Sequence, residues 1–212
     1  MKKQDKPDSI SGISRRRFLQ GMGTGVAATG LLSIGRPSAE AASGGKILGP
    51  GAVPVSLNVN GETRQANVEP RHTLLDVLRN RLDVTGPKPV CEHGSCGGCT
   101  VLLNGQPVYS CMMLAVDAQG QEITTVEGLA KADQLDPVQE AFIAHDALMC
   151  GFCTPGFLMS VRALLDRNAN PTMDDVKQAV AGNICRCGTY PRIFEAALTA
   201  ARMQREEVES HG

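Results

Sequence analysis

The chain has 212 residues, a net charge of −1 at pH 7 and 42% hydrophobic residues, enough for one domain or two small ones. It contains no Trp, two Tyr and five Phe and has no basic stripe. It therefore lacks the charge and the stacking surfaces with which proteins bind nucleic acid. Its eight cysteines are the unusual feature of the composition.

Residues 1–41 are predicted to be a twin-arginine export signal. The stretch Ser14–Gln20 reads SRRRFLQ and fits the S-R-R-x-F-L pattern at every fixed position. A Gly- and Ala-rich apolar run follows at Gly21–Gly35, and residues 39–41 form an A-x-A cleavage site. This run is shorter than the roughly 20 residues that cross a bilayer, and no second apolar stretch approaches that length, so we expect no membrane span in the mature chain. Because this route carries folded proteins, we expect a periplasmic protein whose cofactors are inserted in the reducing cytoplasm.

The first predicted elements after the signal are two strands. Residues 42–52 are a Gly-rich stretch that we expect to be a flexible leader. Three apolar residues then alternate with polar ones, which indicates a half-buried strand: Val55, Leu57 and Val59. Asn60-Gly61 predicts a two-residue hairpin turn, with the return strand running to Val68.

A helix and a second hairpin come next. Thr73 is the predicted N-cap of a helix with leucines at helical spacing as far as Leu82. Thr100–Leu103 and Pro107–Leu114 are predicted to pair as a hairpin, and Ile123–Val126 is a last strand. Hairpin, helix, hairpin and strand fit a small β-grasp domain.

Four cysteines fall in this predicted domain, residues 53–127: Cys91, Cys96, Cys99 and Cys111. Their spacing, C-x4-C-x2-C followed by a distant Cys, is typical of plant-type [2Fe–2S] ferredoxins. The glycines of the loop CEHGSCGGC supply the positive φ angles that tight turns around a cluster demand. Structural zinc also takes four cysteines, but usually as two C-x2-C knuckles, of which this set has one.

The pattern becomes helical after about residue 127. Residues 128–205 are predicted to form an all-α four-helix domain, with residues 206–212 as a tail. The first helix is expected to carry Leu148 on its apolar face, and the third to end at Gly182. The predicted helix starts are Asp136-Pro137, Thr154-Pro155, Thr172 with Asp175 as a capping box, and Pro191.

The other four cysteines lie at the ends of these predicted helices: Cys150, Cys153, Cys185 and Cys187. Two helix N-termini can therefore direct free N–H groups at an anionic cluster. Eight cysteines in an exported protein could instead form four disulfides, with 105 possible pairings. The chain is much longer than disulfide-dense domains, and its cysteines are grouped locally among glycines, so two [2Fe–2S] clusters are favoured.

Three stretches carry a resemblance to a known family: residues 91–101 (CEHGSCGGCTV), 150–156 (CGFCTPG) and 182–190 (GNICRCGTY). Together they resemble the iron–sulfur subunit of the xanthine dehydrogenase and aldehyde oxidoreductase family of molybdenum hydroxylases. The resemblance covers about residues 53–200. It implies an α+β chain, with a β-grasp ferredoxin-like domain followed by a four-helix domain, each binding one [2Fe–2S] cluster.

The resemblance also implies partners. A molybdenum-binding large subunit would hold the molybdenum–pterin cofactor and hydroxylate the substrate, and this chain would supply no catalytic residue. Electrons would leave it for a cytochrome c or an FAD-binding subunit; the CGTYPR sequence from Cys187 looks like the branches that use cytochromes c.

The resemblance implies that the cluster held by the cysteines from Cys150 to Cys187 lies next to molybdenum. The cluster held by those from Cys91 to Cys111 would pass electrons to the acceptor. Met149 departs from the Gln that the family usually has before the first of these helical cysteines. A free-standing periplasmic ferredoxin-type carrier is the alternative, which the first predicted domain alone would satisfy.

Overall fold

A computed structural model describes residues 48–131 and 134–211. The predicted export signal and the first residues of the leader lie outside this part of the chain. Within it, no helix is both long enough and apolar enough to cross a membrane.

The first hairpin is as predicted. Strand β1 is Val53–Val59 and strand β2 is Glu62–Val68, and they pair antiparallel along their full length. Asn60 and Gly61 have φ angles of 55° and 82°, as a tight two-residue turn requires. The three alternating apolar residues of β1 are buried: Val55, Leu57 and Val59.

Helix α1, Leu74–Arg81, crosses one face of the sheet. As predicted, Thr73 is its N-cap, and the Thr73 hydroxyl accepts a hydrogen bond of 3.2 Å from the backbone N–H of Asp76. The helix buries its apolar side chains in one core with those of the sheet.

Strands β3 (Thr100–Leu103), β4 (Gln106–Tyr109) and β5 (Glu122–Thr124) complete a five-stranded sheet. The strand order is β2-β1-β5-β3-β4, with β1 and β5 parallel and the other neighbours antiparallel. A mixed sheet with one helix across it is the predicted β-grasp arrangement.

The second hairpin is shorter than predicted. Its return strand ends at Tyr109 rather than Leu114, and the next three residues form a 3-10 turn. The Ser110 hydroxyl donates a hydrogen bond of 2.7 Å to the carbonyl oxygen of Cys99, which holds this bend in place. Cys111 therefore lies in the turn, and its predicted place in a strand was wrong.

The last strand also ends early, at Thr124 rather than Val126. The backbone N–H of Thr125 donates to the side-chain oxygen of Asn60 at 2.8 Å, which takes the place of a ladder bond. A 3-10 turn follows at Val126–Gly128.

Four helices follow, as predicted: α2 (Pro137–Ala144), α3 (Thr154–Arg167), α4 (Met173–Ala179) and α5 (Tyr190–His211). They share a second core around Phe142, Phe157 and Ile193. Leu102 of β3 belongs to this core rather than to that of the sheet. The described parts of both halves therefore form one compact unit.

The helix boundaries differ from the prediction at α2 and α3. Helix α2 ends at Ala144, so Leu148 lies beyond it in the following loop. Thr154 does not cap α3; Cys153 occupies the N-cap position, and its side chain makes no capping bond.

The other two helices also differ at their ends. The capping box of Thr172 and Asp175 is confirmed, but α4 ends at Ala179 and not at Gly182. Helix α5 begins at Tyr190, one residue before the predicted start, and continues to His211 through the predicted tail.

Candidate metal centres

The first four cysteines converge at one end of the β-grasp half. Cys91 and Cys96 are half-buried in the loop between α1 and β3, whereas Cys99 and Cys111 are buried. The loop can fold this tightly because Gly94 and Gly97, among others, adopt positive φ angles, 76° and 69°.

The second four lie in the segments between helices, and of the four only Cys153 stands at a helix end, so their predicted place at helix ends is confirmed for Cys153 alone. Cys150 is in the loop before α3 and Cys153 is the N-cap of that helix. Cys185 and Cys187 lie in the segment between α4 and α5. Cys150 and Cys187 are exposed, whereas Cys185 is buried.

In both sites the cysteines meet in pairs. The thiol of Cys150 lies 3.6 Å from that of Cys187, sulfur to sulfur. The other thiols lie close enough in pairs to shift each other's pKa: Cys91 with Cys96, Cys99 with Cys111, and Cys153 with Cys185.

The arrangement of the thiols bears on which metal each site would hold. A structural zinc ion needs four ligands around one point. In residues 48–131 and 134–211, no group of three or more His, Cys, Asp or Glu residues surrounds a single ion position. A [2Fe–2S] cluster instead takes four cysteines, two on each of its irons, which matches two pairs per site. All eight cysteines are free thiols in this structure.

The first site has backbone donors directed at sulfur. A hydrogen bond from the His93 backbone lowers the pKa of Cys91 to about 6, and the backbone N–H of Ser95 lies 3.4 Å from the same sulfur. Burial raises the pKa of Cys111 to about 11. Each ligand therefore has a different environment, and the loop stabilises negative charge on Cys91.

The second site shows the same contrast. Burial acts to raise the pKa of Cys185, but hydrogen bonds from the Thr189 hydroxyl and backbone bring it down to about 7. The Thr189 oxygen lies 3.1 Å from the Cys185 sulfur. Burial raises the pKa of Cys153 to about 12.

One buried hydroxyl lacks a protein partner beside this site. The Thr154 side-chain oxygen, one residue after Cys153, is buried and makes no hydrogen bond. Buried hydroxyls nearly always have an acceptor, and the sulfur atoms of an anionic cluster would provide one. The thiol pairs, the sulfur-directed donors and this hydroxyl together fit a [2Fe–2S] cluster at each site.

Sequence reasoning did not assign roles to the residues that bridge the two sites. Tyr109 donates a hydrogen bond of 3.0 Å to the carbonyl of Gly182, and Asn183 donates one of 3.0 Å to the carbonyl of Gly97. Tyr190 donates to the backbone, and its ring contacts Phe157 edge to face at 5.8 Å. For Asn183 and Tyr190, the sequence signal was their place in the short stretch around Cys185 and Cys187.

The fold and the two four-cysteine sites define an iron–sulfur electron-transfer protein. Comparisons with known families agree. The family described as "2Fe-2S iron-sulfur cluster binding domain" matches residues 57–130, and the family described as "[2Fe-2S] binding domain" matches residues 125–198. The chain belongs to the iron–sulfur subunits of the molybdenum hydroxylase family, which includes xanthine oxidase and aldehyde oxidoreductase.

Two curated proteins are similar to this chain over about seven tenths of its length. The chain is 50% identical over 148 residues to the nicotine 6-hydroxylase small subunit of Paenarthrobacter nicotinovorans, covering 70% of this chain and 89% of that one. It is 46% identical over 167 residues to the aldehyde oxidoreductase iron-sulfur-binding subunit of Escherichia coli (strain K12), covering 72% and 73%.

A solved structure shows the same fold. A chain of quinoline 2-oxidoreductase from Pseudomonas putida 86 matches with a TM-score of 0.70 and 43% identity. The match covers 73% of this chain and 97% of that chain. The predicted fold class, the two cluster-binding domains and membership of an oxidoreductase complex are thereby confirmed.

Proposed function

We propose that this chain is the electron-transfer subunit of a periplasmic molybdenum hydroxylase. It would carry electrons from a molybdenum–pterin centre in a large subunit to an acceptor. The observation that supports this most directly is the surface around the helical site. Two of its cysteines, Cys150 and Cys187, are exposed and stand among exposed apolar side chains.

The eight cysteines are the proposed ligands. In the first site, Cys91 with Cys96 would hold one iron, and Cys99 with Cys111 the other. In the helical site, Cys150 with Cys187 and Cys153 with Cys185 would do the same. Each cluster, when bound, accepts and releases one electron at a time. The protein binds the irons, excludes water from the buried cysteines and donates hydrogen bonds to sulfur.

The exposed apolar residues at the helical site form the proposed docking face for the large subunit: Met149, Phe152 and Ile184, which are 67%, 52% and 53% exposed. Large apolar side chains clustered at the surface mark interaction sites in proteins. Met149 and Phe152 flank Cys150 in sequence and Ile184 precedes Cys185, so this face would bring the partner's cofactor next to this cluster. Met149 would then contact the partner through a thioether, a weaker acceptor than an amide.

The first site would be the exit. Its loop exposes Glu92, His93 and Ser95 next to Cys91, together with the apolar side chains of Val90 and Met112, which are 53% and 66% exposed. This exposure would give an acceptor access to the first cluster. The acceptor would be a cytochrome c or an FAD-binding subunit, and the CGTYPR sequence favours a cytochrome c.

The alternative is a free-standing periplasmic ferredoxin-type carrier. The β-grasp half would suffice for that role. A carrier has no need of the helical site or of the apolar face around it, so the subunit role is favoured.

The docking face can be tested in the complex purified from its native host. Met149→Glu combined with Phe152→Glu should abolish co-purification of the large subunit, because two like charges would be buried unpaired in the contact. Val208→Lys is the matched control: Val208 is 69% exposed and lies about 27 Å along α5 from its first turn.

The purified chain should contain about four irons and four acid-labile sulfides, as two [2Fe–2S] clusters require. Its reduced form should give two resolvable EPR signals. Stoichiometric zinc, or iron for one cluster only, would refute the proposal. Retention of the large subunit by the double variant would refute the docking face alone.

A further inference from the structure

The two cysteine sites are joined by a buried amide side chain, that of Asn183. Asn183 is 4% exposed and lies two residues before Cys185. Its side-chain NH2 donates to the carbonyl of Gly97 at 3.0 Å, in the loop that carries the first site. Its side-chain oxygen accepts from the Ser160 hydroxyl on α3 at 2.8 Å. The amide therefore fixes three segments relative to one another.

The backbones approach closely around this amide because glycines allow it. A Cβ on Gly156 of α3 would lie 2.1 Å from the Gly97 carbonyl oxygen. A Cβ on Gly97 would lie 2.5 Å from the Asn183 amide nitrogen. Neither position can carry a larger residue without moving the amide or the backbone.

A direct backbone contact between the two sites lies beside Asn183. The N–H of Ile184 donates to the carbonyl oxygen of Cys96 at 2.9 Å. Cys96 belongs to the first site, and Ile184 is bonded to Cys185 of the second. One hydrogen bond thus connects a cysteine of each site through a single intervening residue.

We propose that Asn183 is a positioning residue for electron transfer between the two clusters. Its amide holds the Gly97 carbonyl and thereby keeps the adjacent Cys96 carbonyl on the N–H of Ile184. This contact between Cys96 and Ile184, the neighbour of Cys185, sets both the separation and the coupling of the two sites. The inference rests on the proposed function, which supplies the electrons.

The step that it controls is a one-electron transfer. One electron leaves the helical site, which is oxidised by one unit, and enters the first site, which is reduced by one unit. No bond forms or breaks, and no proton moves.

The test uses the cluster-loaded complex and two variants of Asn183. Asn183→Asp keeps the shape and can still accept from Ser160, but it places an oxygen against the Gly97 carbonyl. Asn183→Ala removes both bonds. Sub-stoichiometric flash photoreduction followed by rapid freezing would report electron redistribution between the two EPR signals. We expect slower redistribution in both variants than in the unchanged chain, because both disturb the contact that holds the two sites together.

A second readout is independent of rate. The magnetic interaction between the two reduced clusters falls steeply with their separation, so its splitting should shrink in both variants. Ser160→Ala should shift both readouts in the same direction but less, because it frees the Asn183 side chain without removing its donor.

Asn60→Ala is the matched control. It truncates another bridging amide, which bonds Thr125 at 2.8 and 2.9 Å and touches no cysteine. Unchanged rate and splitting in the Asn183 variants, or an equal effect of Asn60→Ala, would overturn the proposal. If Asn183→Ala loses a cluster, the Asn183→Asp and Ser160→Ala variants still test whether Asn183 positions the two sites. Iron content and co-purification of the large subunit test the proposed function separately.

Discussion

Single hydrogen bonds to sulfur distinguish the cysteines within each site. Thr189 places its hydroxyl 3.1 Å from the Cys185 sulfur. Such a bond stabilises the reduced cluster, which is the more negative form, and therefore raises the reduction potential. The bond is buried, so solvent cannot replace it once it is lost.

Thr189→Val, which keeps the shape and removes the hydroxyl, should lower the potential of the helical cluster. A hydrogen bond contributes about 0.5–1.5 kcal/mol, which corresponds to about 20–65 mV for one electron. An EPR-monitored redox titration measures this shift. The potential of the first cluster is the internal control, and an equal shift in both clusters would contradict the assignment.

At the scale of the element, the loop that carries Cys91, Cys96 and Cys99 depends on its glycines. Gly97 has a φ angle of 69°, and a Cβ there would also lie 2.6 Å from the carbonyl oxygen of Gly182. The positive φ angle and the close packing both exclude a side chain at position 97. Gly105, in the turn between β3 and β4, has a φ angle of 77° but open space around it.

Gly97→Ala should therefore destabilise the chain more than Gly105→Ala does. The strain of positive φ costs about 1–2 kcal/mol at either position. Overpacking adds about 1–3 kcal/mol at Gly97 alone. Thermal unfolding with iron analysis measures both effects. We expect Gly97→Ala to lose iron from the first cluster, and equal melting temperatures for the two variants would show that the contact is not tight.

At the scale of the whole molecule, the two halves form one unit with separate cores. Their contact includes the Cys96–Ile184 hydrogen bond, so the chain places its two sites at a defined separation. On the twin-arginine route predicted for it, such a protein would fold before export, because the clusters cannot cross a membrane on an unfolded chain.

Export is therefore predicted to depend on the paired arginines of the signal. Arg15→Lys together with Arg16→Lys should leave cluster-loaded precursor in the cytoplasm, because these residues occupy the paired positions of the S-R-R-x-F-L pattern. Fractionation with iron analysis measures this, and Lys2→Arg is a control substitution in the same basic region. Undiminished periplasmic yield would refute the twin-arginine route.

Local features of the sequence were sufficient for the elements and for the cysteine sets. Asn60-Gly61 and the alternation of β1 are short-range signals that the tertiary structure did not override. The capping box at Thr172 is equally local. Cysteine spacing predicted two clusters because ligand count and spacing are properties of the chain itself.

Element ends and the contacts between elements were decided by the tertiary structure. The strand predicted through Cys111 stops at Tyr109, because the Ser110 hydroxyl bonds the Cys99 carbonyl and turns the chain. Helix α4 stops at Ala179, three residues before the predicted glycine, and Gly182 instead meets the Tyr109 hydroxyl. No local pattern reports such contacts.

The sequence by itself determined the type and order of the elements and the grouping of the cysteines into two local sets, because spacing, turn chemistry and hydrophobic period act over a few neighbours. Only the tertiary structure decided how the cysteines pair and how the two sites meet. Asn183 and Gly97 are 86 positions apart in sequence and in contact in the fold. Such contacts arise from packing two cores against each other, and packing is a property of the whole chain.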